Sequence, residues 1–452
     1  MKHIFRAYDI RGVFNRELST DVVSRIGLAF GTYLGGKGKV FVGRDVRTSS
    51  EIIENAFVSA LASTGVDVFS SGLIPTPTSN FKTFKGDFDA GAYITASHNP
   101  PEYNGIRFRH PDGTGYTVQN EEIRDIFLKG KYHLAGWDKL GSITKIDPKE
   151  TIREYSEFLL EHFDFGRRIK VTIDPGNGAA SLVAPGLFKK LGSEVSTINA
   201  ELDGTFPGRP SEPNEKNLYG LRKAVVDNGS EFGAGYDGDG DRVVFVDNQG
   251  RAVQTEKIGI IISREILKEK KGIIIANVEC SMIVEKEIEK AGGEIKRVRV
   301  GDVFVAEKIK EHRALFGMET SAHYFTPKFY GFDDPIIVSL MLGEILSKGG
   351  SSLAEMSDEI PSYPKTMKNY SCPDEIKFEV MKKIIESFKD KGYELDLTDG
   401  ARVIFDYGWA LIRPSNTTPL IRASVEAETD EKLGELLSMV GGEFRAALED
   451  TK

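Results

Sequence analysis

Cysteine is nearly absent: Cys280 and Cys372 are the only two in 452 residues. That excludes a disulfide framework and a zinc site built on cysteines, and it suits a reducing cytoplasm, the compartment expected here. A basic excess is lacking too. The 68 Asp and Glu outnumber the 59 Lys and Arg, for a formal net charge of -9. Nucleic-acid binders normally carry a positive surplus, so no nucleic-acid partner is expected. An acidic chain can still hold phosphate through local clusters of Arg, Lys and backbone N–H groups. No apolar run is long enough to span a bilayer. Nor does the start, Met1 to Arg6, lead into the apolar stretch of a signal peptide. A membrane is therefore not an expected partner. What the chain has is length, too much for one core, which implies three or four domains.

An internal repeat supplies the organisation. Val40-Phe41-Val42-Gly43 is followed by a polar loop, a helix from about Ser50 and then Gly65-Val66-Asp67-Val68-Phe69. The helix carries a stripe of Ile52, Ile53, Ala56, Phe57, Ala60 and Leu61. The pattern returns at Val171-Thr172-Ile173-Asp174, with Gly192 before the second strand, and at Ile273-Ile274-Ile275-Ala276, with a helix from about Ser281 and then Gly292-Gly293. Strand, loop, helix, glycine stop and strand make a parallel βαβ unit with a right-handed crossover. Three such units imply three related α/β domains with mixed, mostly parallel sheets. After about Pro361 the texture changes to a helix near Glu375–Lys391 and a hairpin through Ala401–Phe405 and Trp409–Arg413, a smaller α+β domain. The expected boundaries are 1–147, 148–253, 254–362 and 363–452.

Four loops carry residues suited to chemistry. Thr95-Ala96-Ser97-His98-Asn99-Pro100 follows the apolar run Ala90–Ile94 and ends in a stiff turn. A serine at a strand tip beside a histidine is placed for nucleophilic chemistry. The same types also satisfy backbone groups at an ordinary strand-to-turn junction. Asp237-Gly238-Asp239-Gly240-Asp241-Arg242 sets three carboxylates in alternation with glycines. Close carboxylates repel unless a cation sits between them, and hard oxygen ligands favour Mg²⁺ or Ca²⁺. An EF-hand does not fit, because Arg242 stands at the sixth position and Asn248 at the twelfth. The dinucleotide fingerprint in Gly233–Gly238 does not fit either, since a strand, Val243–Val246, follows where a helix is required. Glu319-Thr320-Ser321-Ala322-His323 offers groups for sugar hydroxyls, or the start of a capped helix. Arg413-Pro414-Ser415-Asn416-Thr417-Thr418-Pro419, with Arg422, combines two arginines, hydroxyls and an amide that suit a phosphate dianion. Near the N-terminus, Arg11 either meets a phosphate or pairs with Asp9.

These loops, in this order, resemble those of the α-D-phosphohexomutase superfamily: phosphomannomutases, phosphoglucomutases and phosphoglucosamine mutases. The resemblance covers nearly the whole chain and implies four domains, three of them related. It implies that Ser97 is the phosphoserine, with His98 beside it, and that Ser97, Asp237, Asp239 and Asp241 hold one Mg²⁺ per chain. It further implies that Arg242 supports the transferring phosphoryl group and that Glu319, Ser321 and His323 face the sugar. Arg413, Ser415, Asn416, Thr417 and Arg422 would hold the non-reacting phosphate. Tyr8 and Arg11 resemble an active-site pair of the phosphomannomutase/phosphoglucomutase branch. Related chains usually have Lys where this one has Arg107, which stays protonated and cannot act as a base. Ala322 stands where Gly is common, and Thr418 where Glu is common.

The implied activity is interconversion of hexose 1-phosphate and hexose 6-phosphate, mannose or glucose, through a phosphoserine and a 1,6-bisphosphate that also serves as activator. Phosphoglucosamine mutase is the alternative sugar assignment. A metal-dependent phosphatase would not need a second phosphate loop, and a sugar-phosphate-binding regulator would not need Ser97 with all three aspartates. The expected partners are hexose phosphates, with the chain a monomer or homo-oligomer.

Overall fold

In the computed structural model, which describes residues 2–6, 8–414 and 419–451, Val40 and Val42 of the strand Lys39–Arg44 join one hydrophobic cluster and Phe41 joins another. Ala92 and Ile94 of the strand Ala90–Ile94 likewise face opposite to Tyr93. Period-two alternation with both sets apolar is the mark of a strand covered on both faces. On one face lie helices Thr20–Tyr33 and Ser50–Ala62, which bring Ile26, Phe30, Phe57 and Leu61 into the core. Phe30 stacks on Phe108 with ring centroids 4.2 Å apart. Each such buried side chain stabilises the fold by roughly 1.5–3 kcal/mol relative to exposure. Ser19 caps the first of these helices, its hydroxyl accepting from the Val22 N–H at 3.3 Å.

Two compact units make up the chain: Met1–Ile258 with Ser321–Ser357, and Gly259–Thr320 with Asp358–Lys452. The first unit holds a six-stranded sheet ordered Ile10–Val13, Tyr103–Arg109, Ala90–Ile94, Lys39–Arg44, Asp67–Leu73, Ile143–Lys145. Its last four strands are parallel and its first two pair antiparallel. It also holds a four-stranded sheet ordered Val243–Asp247, Phe232–Tyr236, Lys170–Asp174, Glu194–Thr197, antiparallel only at its first pair. In both sheets the polar loops leave from strand ends, where ligands of such sheets bind.

In the second unit, Glu294–Val298, Ile273–Asn277 and Phe316–Met318 run parallel, beside helices Ile283–Lys290 and Asp302–His312. Its C-terminal sheet is wholly antiparallel, in the order Lys365–Ser371, Leu420–Ala427, Gly408–Pro414, Ala401–Phe405, Glu394–Asp396. Ala410 and Ile412 face helices Lys377–Asp390 and Asp430–Glu449, while Trp409 and Leu411 pack on Val278. Mixed, mostly parallel α/β sheets and a smaller C-terminal α+β domain are thus the architecture. Among the described residues, no helix is long and apolar enough to cross a membrane.

Candidate active site

The serine loop leaves the buried strand Ala90–Ile94 and returns as the strand Tyr103–Arg109. Gly105 permits the crossing: a Cβ there would lie 2.1 Å from the Ile10 carbonyl oxygen and 2.7 Å from that of Thr95. Ser97 is buried and adopts φ 50, a left-handed conformation that non-glycine residues rarely hold. Such strain collects at functional sites, where the surroundings over-determine it. The Ser97 hydroxyl donates to Asp237 Oδ2 at 3.0 Å and lies 3.2 Å from His98 Nδ1. Burial, with the Arg242 and Arg11 guanidiniums nearby, pushes His98 down to about 2, so its ring is neutral. A cleft of about 690 Å³ borders His98 and Pro100 on one side and Phe206 and Ser211 on the other.

The aspartate loop is the turn between antiparallel strands Phe232–Tyr236 and Val243–Asp247. Asp237 Oδ1 accepts from the N–H groups of Gly240, Asp241 and Arg242 at 3.0, 3.0 and 3.2 Å. That closes the turn on itself and fixes the carboxylate. Asp239 Oδ2 accepts from Thr76 Oγ1 at 3.0 Å and lies 2.9 Å from Thr95 Oγ1. Asp241 Oδ2 accepts from Arg107 Nη1 at 2.9 Å. The second oxygens of Asp239 and Asp241, both buried, have no hydrogen-bond partner. Ligand oxygens of all three carboxylates lie within 4.8 Å of one another. Buried carboxylates this close, with oxygens left without hydrogen bonds, fit a hard divalent cation.

The electrostatics agree with that reading. Burial and the charges of Asp239 and Asp241 raise Asp237 well above the carboxylate range. Burial, Asp241 and Asp45 raise Asp239 to about 6. Asp241 goes the other way: burial opposes its charge, but the Arg107 and Arg242 guanidiniums outweigh burial and hold it low. His323, Asp241 and Asp333 form a second close acidic cluster. There, however, His323 Nδ1 is 2.6 Å from Asp333 Oδ2 and its Nε2 accepts from Arg242 Nε at 2.9 Å. Both ring nitrogens are engaged, which leaves the three aspartates as the cation site. The same contact bears on the ring's charge. Burial disfavours the proton and Asp241 favours it, with a net upward push. An N–H aimed at Nε2 needs a lone pair there, so the neutral ring is the form this geometry holds.

In the first unit the expected residues Ser97, His98, Arg107, Asp237, Asp239, Asp241, Arg242 and His323 form one connected cluster. Arg11 joins it, pairing with Asp9 at 2.7 Å and donating to Asn99 Oδ1 at 2.7 Å and the Ala96 carbonyl at 3.3 Å. Of the two alternatives for Arg11, the pair with Asp9 is the one formed, and the same guanidinium is docked on the serine loop. Tyr8 is half-buried in the segment leading to it. Ser321 also belongs to this unit, and Ala322 beside it holds a left-handed φ of 68, the conformation that suits the Gly common at this place in related chains. No helix starts at this loop; the strand Tyr324–Phe325 follows.

Glu319 and Arg413 belong to the second unit. Glu319 is buried and accepts from Asn277 Nδ2 at 3.0 Å and the Gly301 N–H at 2.8 Å. Arg413 is the last residue but one of the strand Gly408–Pro414, opposite Arg422, and its guanidinium pairs with Glu279 at 2.7 Å and Asp399 at 3.0 Å. Ser415, Asn416 and Thr417 lie outside the described residues. Sequence reasoning missed Asp333, Glu279 and Asp399. The acidic pair Asp333-Asp334 after Gly331 was the one local hint.

Family models for phosphoglucomutase/phosphomannomutase match the chain in order: α/β/α domain I over residues 2–133, domain II over 153–250, domain III over 254–363 and the C-terminal domain over 367–441. The chain belongs to the phosphoglucomutase/phosphomannomutase family. It is an enzyme of the α-D-phosphohexomutase superfamily. A phosphoglucomutase/phosphomannomutase of Thermococcus kodakarensis is 37% identical, covering 97% of this chain and 98% of the relative. A probable phosphoglucosamine mutase of Methanopyrus kandleri is 36% identical over the full length of both. A crystal structure of a phosphoglucomutase/phosphomannomutase family protein from Burkholderia thailandensis superposes with a TM-score of 0.90 at 30% identity, covering 100% of this chain and 98% of the other.

Proposed function

We propose that this phosphohexomutase interconverts hexose 1-phosphate and hexose 6-phosphate, with mannose, glucose or both as its sugars, through phosphorylated Ser97. The supporting observation is the meeting of a strained, buried Ser97 with Asp237 at 3.0 Å, beside two carboxylates that each leave one oxygen unpartnered. A metal-free structural turn gains nothing from that arrangement.

Asp237, Asp239 and Asp241 are the residues that would hold one Mg²⁺, which when bound neutralises charge on the transferring phosphoryl group. A hexose 1,6-bisphosphate activator charges Ser97. In turnover, the bond between phosphorus and Ser97 Oγ breaks, a bond to the substrate hydroxyl oxygen forms, and the proton given up by that hydroxyl is taken up by Ser97 Oγ. The bisphosphate so formed then returns its other phosphate to Ser97. Arg107 and Arg242 supply fixed positive charge to the transition state. Arg107 remains protonated throughout, so it moves no proton. Arg413, with Ser415, Asn416, Thr417 and Arg422, grips the non-reacting phosphate, while Glu319, Ser321 and His323 meet sugar hydroxyls. The compartment proposed is the cytoplasm, in keeping with a chain of only two cysteines.

A second sugar reading, glucosamine phosphate, is favoured by the full-length relative named as a probable phosphoglucosamine mutase. Coupled assays with mannose 1-phosphate, glucose 1-phosphate and glucosamine 1-phosphate, each primed with a trace of bisphosphate, decide between the two. Intact mass and peptide mapping should locate phosphate on Ser97. Full activity in Ser97→Ala would overturn the proposal.

A further inference from the structure

Arg47 is 1% exposed and lies outside the group assigned above to phosphoryl transfer. It stands just after the strand Lys39–Arg44. A guanidinium has five N–H donors in a rigid planar fork, and here all five are taken. Nε donates to Asp45 Oδ2 at 3.1 Å. Nη1 donates to the carbonyls of Pro100 at 2.6 Å and Tyr103 at 3.0 Å. Nη2 donates to the carbonyls of Ser97 and Asn99, both at 2.6 Å. Four carbonyls from one short loop thus converge on one cation. Their dipoles repel in any loop that lacks such a centre, and each would lose a charge-assisted hydrogen bond. The shape of the serine loop depends on this side chain, and an ammonium with three donors cannot replace it.

The same contacts bear on Ser97 itself. Its carbonyl is held by Arg47 and by Ser211 Oγ at 3.1 Å, and its N–H donates to Thr95 Oγ1 at 2.7 Å. Both backbone polar groups of the strained residue are therefore pinned. Asp45 extends the frame: it accepts from the Arg47 N–H at 3.0 Å and from Thr95 Oγ1 at 2.8 Å, and Thr95 Oγ1 is 2.9 Å from Asp239 Oδ2. One rigid network ties the serine loop to a carboxylate of the cation site.

We propose that Arg47 is a positioning residue that sets the angle at which Ser97 Oγ presents its phosphoryl group, so that it governs turnover and not substrate binding. With every donor engaged and the side chain buried, Arg47 has nothing left to offer a substrate. This inference rests on the proposed role of Ser97.

The test is Arg47→Lys in the full chain, assayed at a temperature where circular dichroism shows it folded. A displacement on the scale of an ångström costs roughly a hundredfold in rate. The expected result is a fall in kcat of at least about tenfold, with KM for the hexose 1-phosphate within about threefold of the parent. Loading of Ser97 by glucose 1,6-bisphosphate, followed by intact mass, should slow in parallel. A lower melting point with parental kcat would overturn the proposal, because Arg47 would then serve stability alone. If Arg47→Lys does not fold, Ser211→Ala removes one hydroxyl from the Ser97 carbonyl and should lower kcat about two- to tenfold with little change in melting; an unchanged kcat there overturns it as well. A parent protein that carries no phosphate on Ser97 and shows no mutase activity overturns the phosphoserine reading and this inference together. An active, phosphorylated parent with an indifferent Arg47→Lys removes this inference alone.

Discussion

Replacing Arg107 by Met tests how the cluster balances its charges. Arg107 is 3% exposed, and its Nη1 lies 2.9 Å from Asp241 Oδ2. Asp241 is wholly buried and stays ionised because the Arg107 and Arg242 guanidiniums outweigh burial. Met has a similar length but no charge, so the variant leaves Asp241 beside Asp237 and Asp239 with less compensation. Removing one partner of a buried pair costs about 3–5 kcal/mol. The sign with pH follows from Asp241. Its folded pKa lies below the unfolded one, so its stabilisation is present above about pH 4 and fades as pH falls through the lower folded value. In the variant the carboxyl moves up and protonates at higher pH. The deficit should therefore be largest near neutrality and should narrow as pH falls toward about 4. Chemical and thermal unfolding with chelator present, followed by circular dichroism across that range, measures it. Arg107→Lys keeps the charge and should retain both stability and measurable activity, whereas Arg107→Met should lose most of its kcat. A Met variant as stable and as active as the Lys variant, or a deficit that does not change with pH, would refute the reasoning.

Because Asp237 is raised well above the ordinary range and Asp239 to about 6, the cation-free loop holds protons that a metal must expel. Mg²⁺ affinity should rise from mildly acid to mildly alkaline pH, with proton release seen by calorimetry in two buffers. Asp239→Asn should lower affinity and turnover together, and activity that survives EDTA untouched would count against the site. Arg413→Ala removes a charge-assisted grip on phosphate of about 1.5–3 kcal/mol, so hexose phosphate binding should weaken by about ten- to a hundredfold. Glu279→Gln should do the reverse and lower KM, since Glu279 now competes for that guanidinium at 2.7 Å; a higher KM would mean that the carboxylate orients Arg413 for its ligand.

The parts of the fold that could be read in the sequence are those that repeat locally. Val40-Phe41-Val42 and Val171-Thr172-Ile173 alternate within a few residues, and the strands are there. Helix ends drifted: the one read from about Ser281 begins at Ile283, and the one read near Glu375–Lys391 spans Lys377–Asp390. The aspartate loop was legible because its three carboxylates lie within five residues. Asp333 was not, because its tie to His323 leaves no periodic trace between them, and Arg47 is fifty residues from the Ser97 carbonyl it holds. Glu279 and Asp399 looked like ordinary surface acids until folding placed them on Arg413, 134 and 14 residues away. The loop Glu319–His323 read as one piece, yet its Glu319 and Ser321 fall in different compact units.

Three contacts in the first unit join residues far apart in the chain: Ser97 to Asp237 at a separation of 140, Thr95 to Asp239 at 144, and Arg107 to Asp241 at 134. Closing a loop of that length costs about 4 kcal/mol of chain entropy for the first contact, and the second and third come nearly free once it has formed. Loop-closure entropy therefore predicts that the serine and aspartate loops assemble together and late, after each sheet exists. On the ribosome, Ser97 emerges long before the residues that complete its surroundings. On the phosphoserine role proposed for Ser97, a nascent or truncated chain ending short of Arg242 would have the serine but no way to become charged with phosphate. Phosphate on Ser97 would then record that the two sheets have found each other, and its occupancy would measure the correctly assembled fraction of a preparation more directly than secondary structure does.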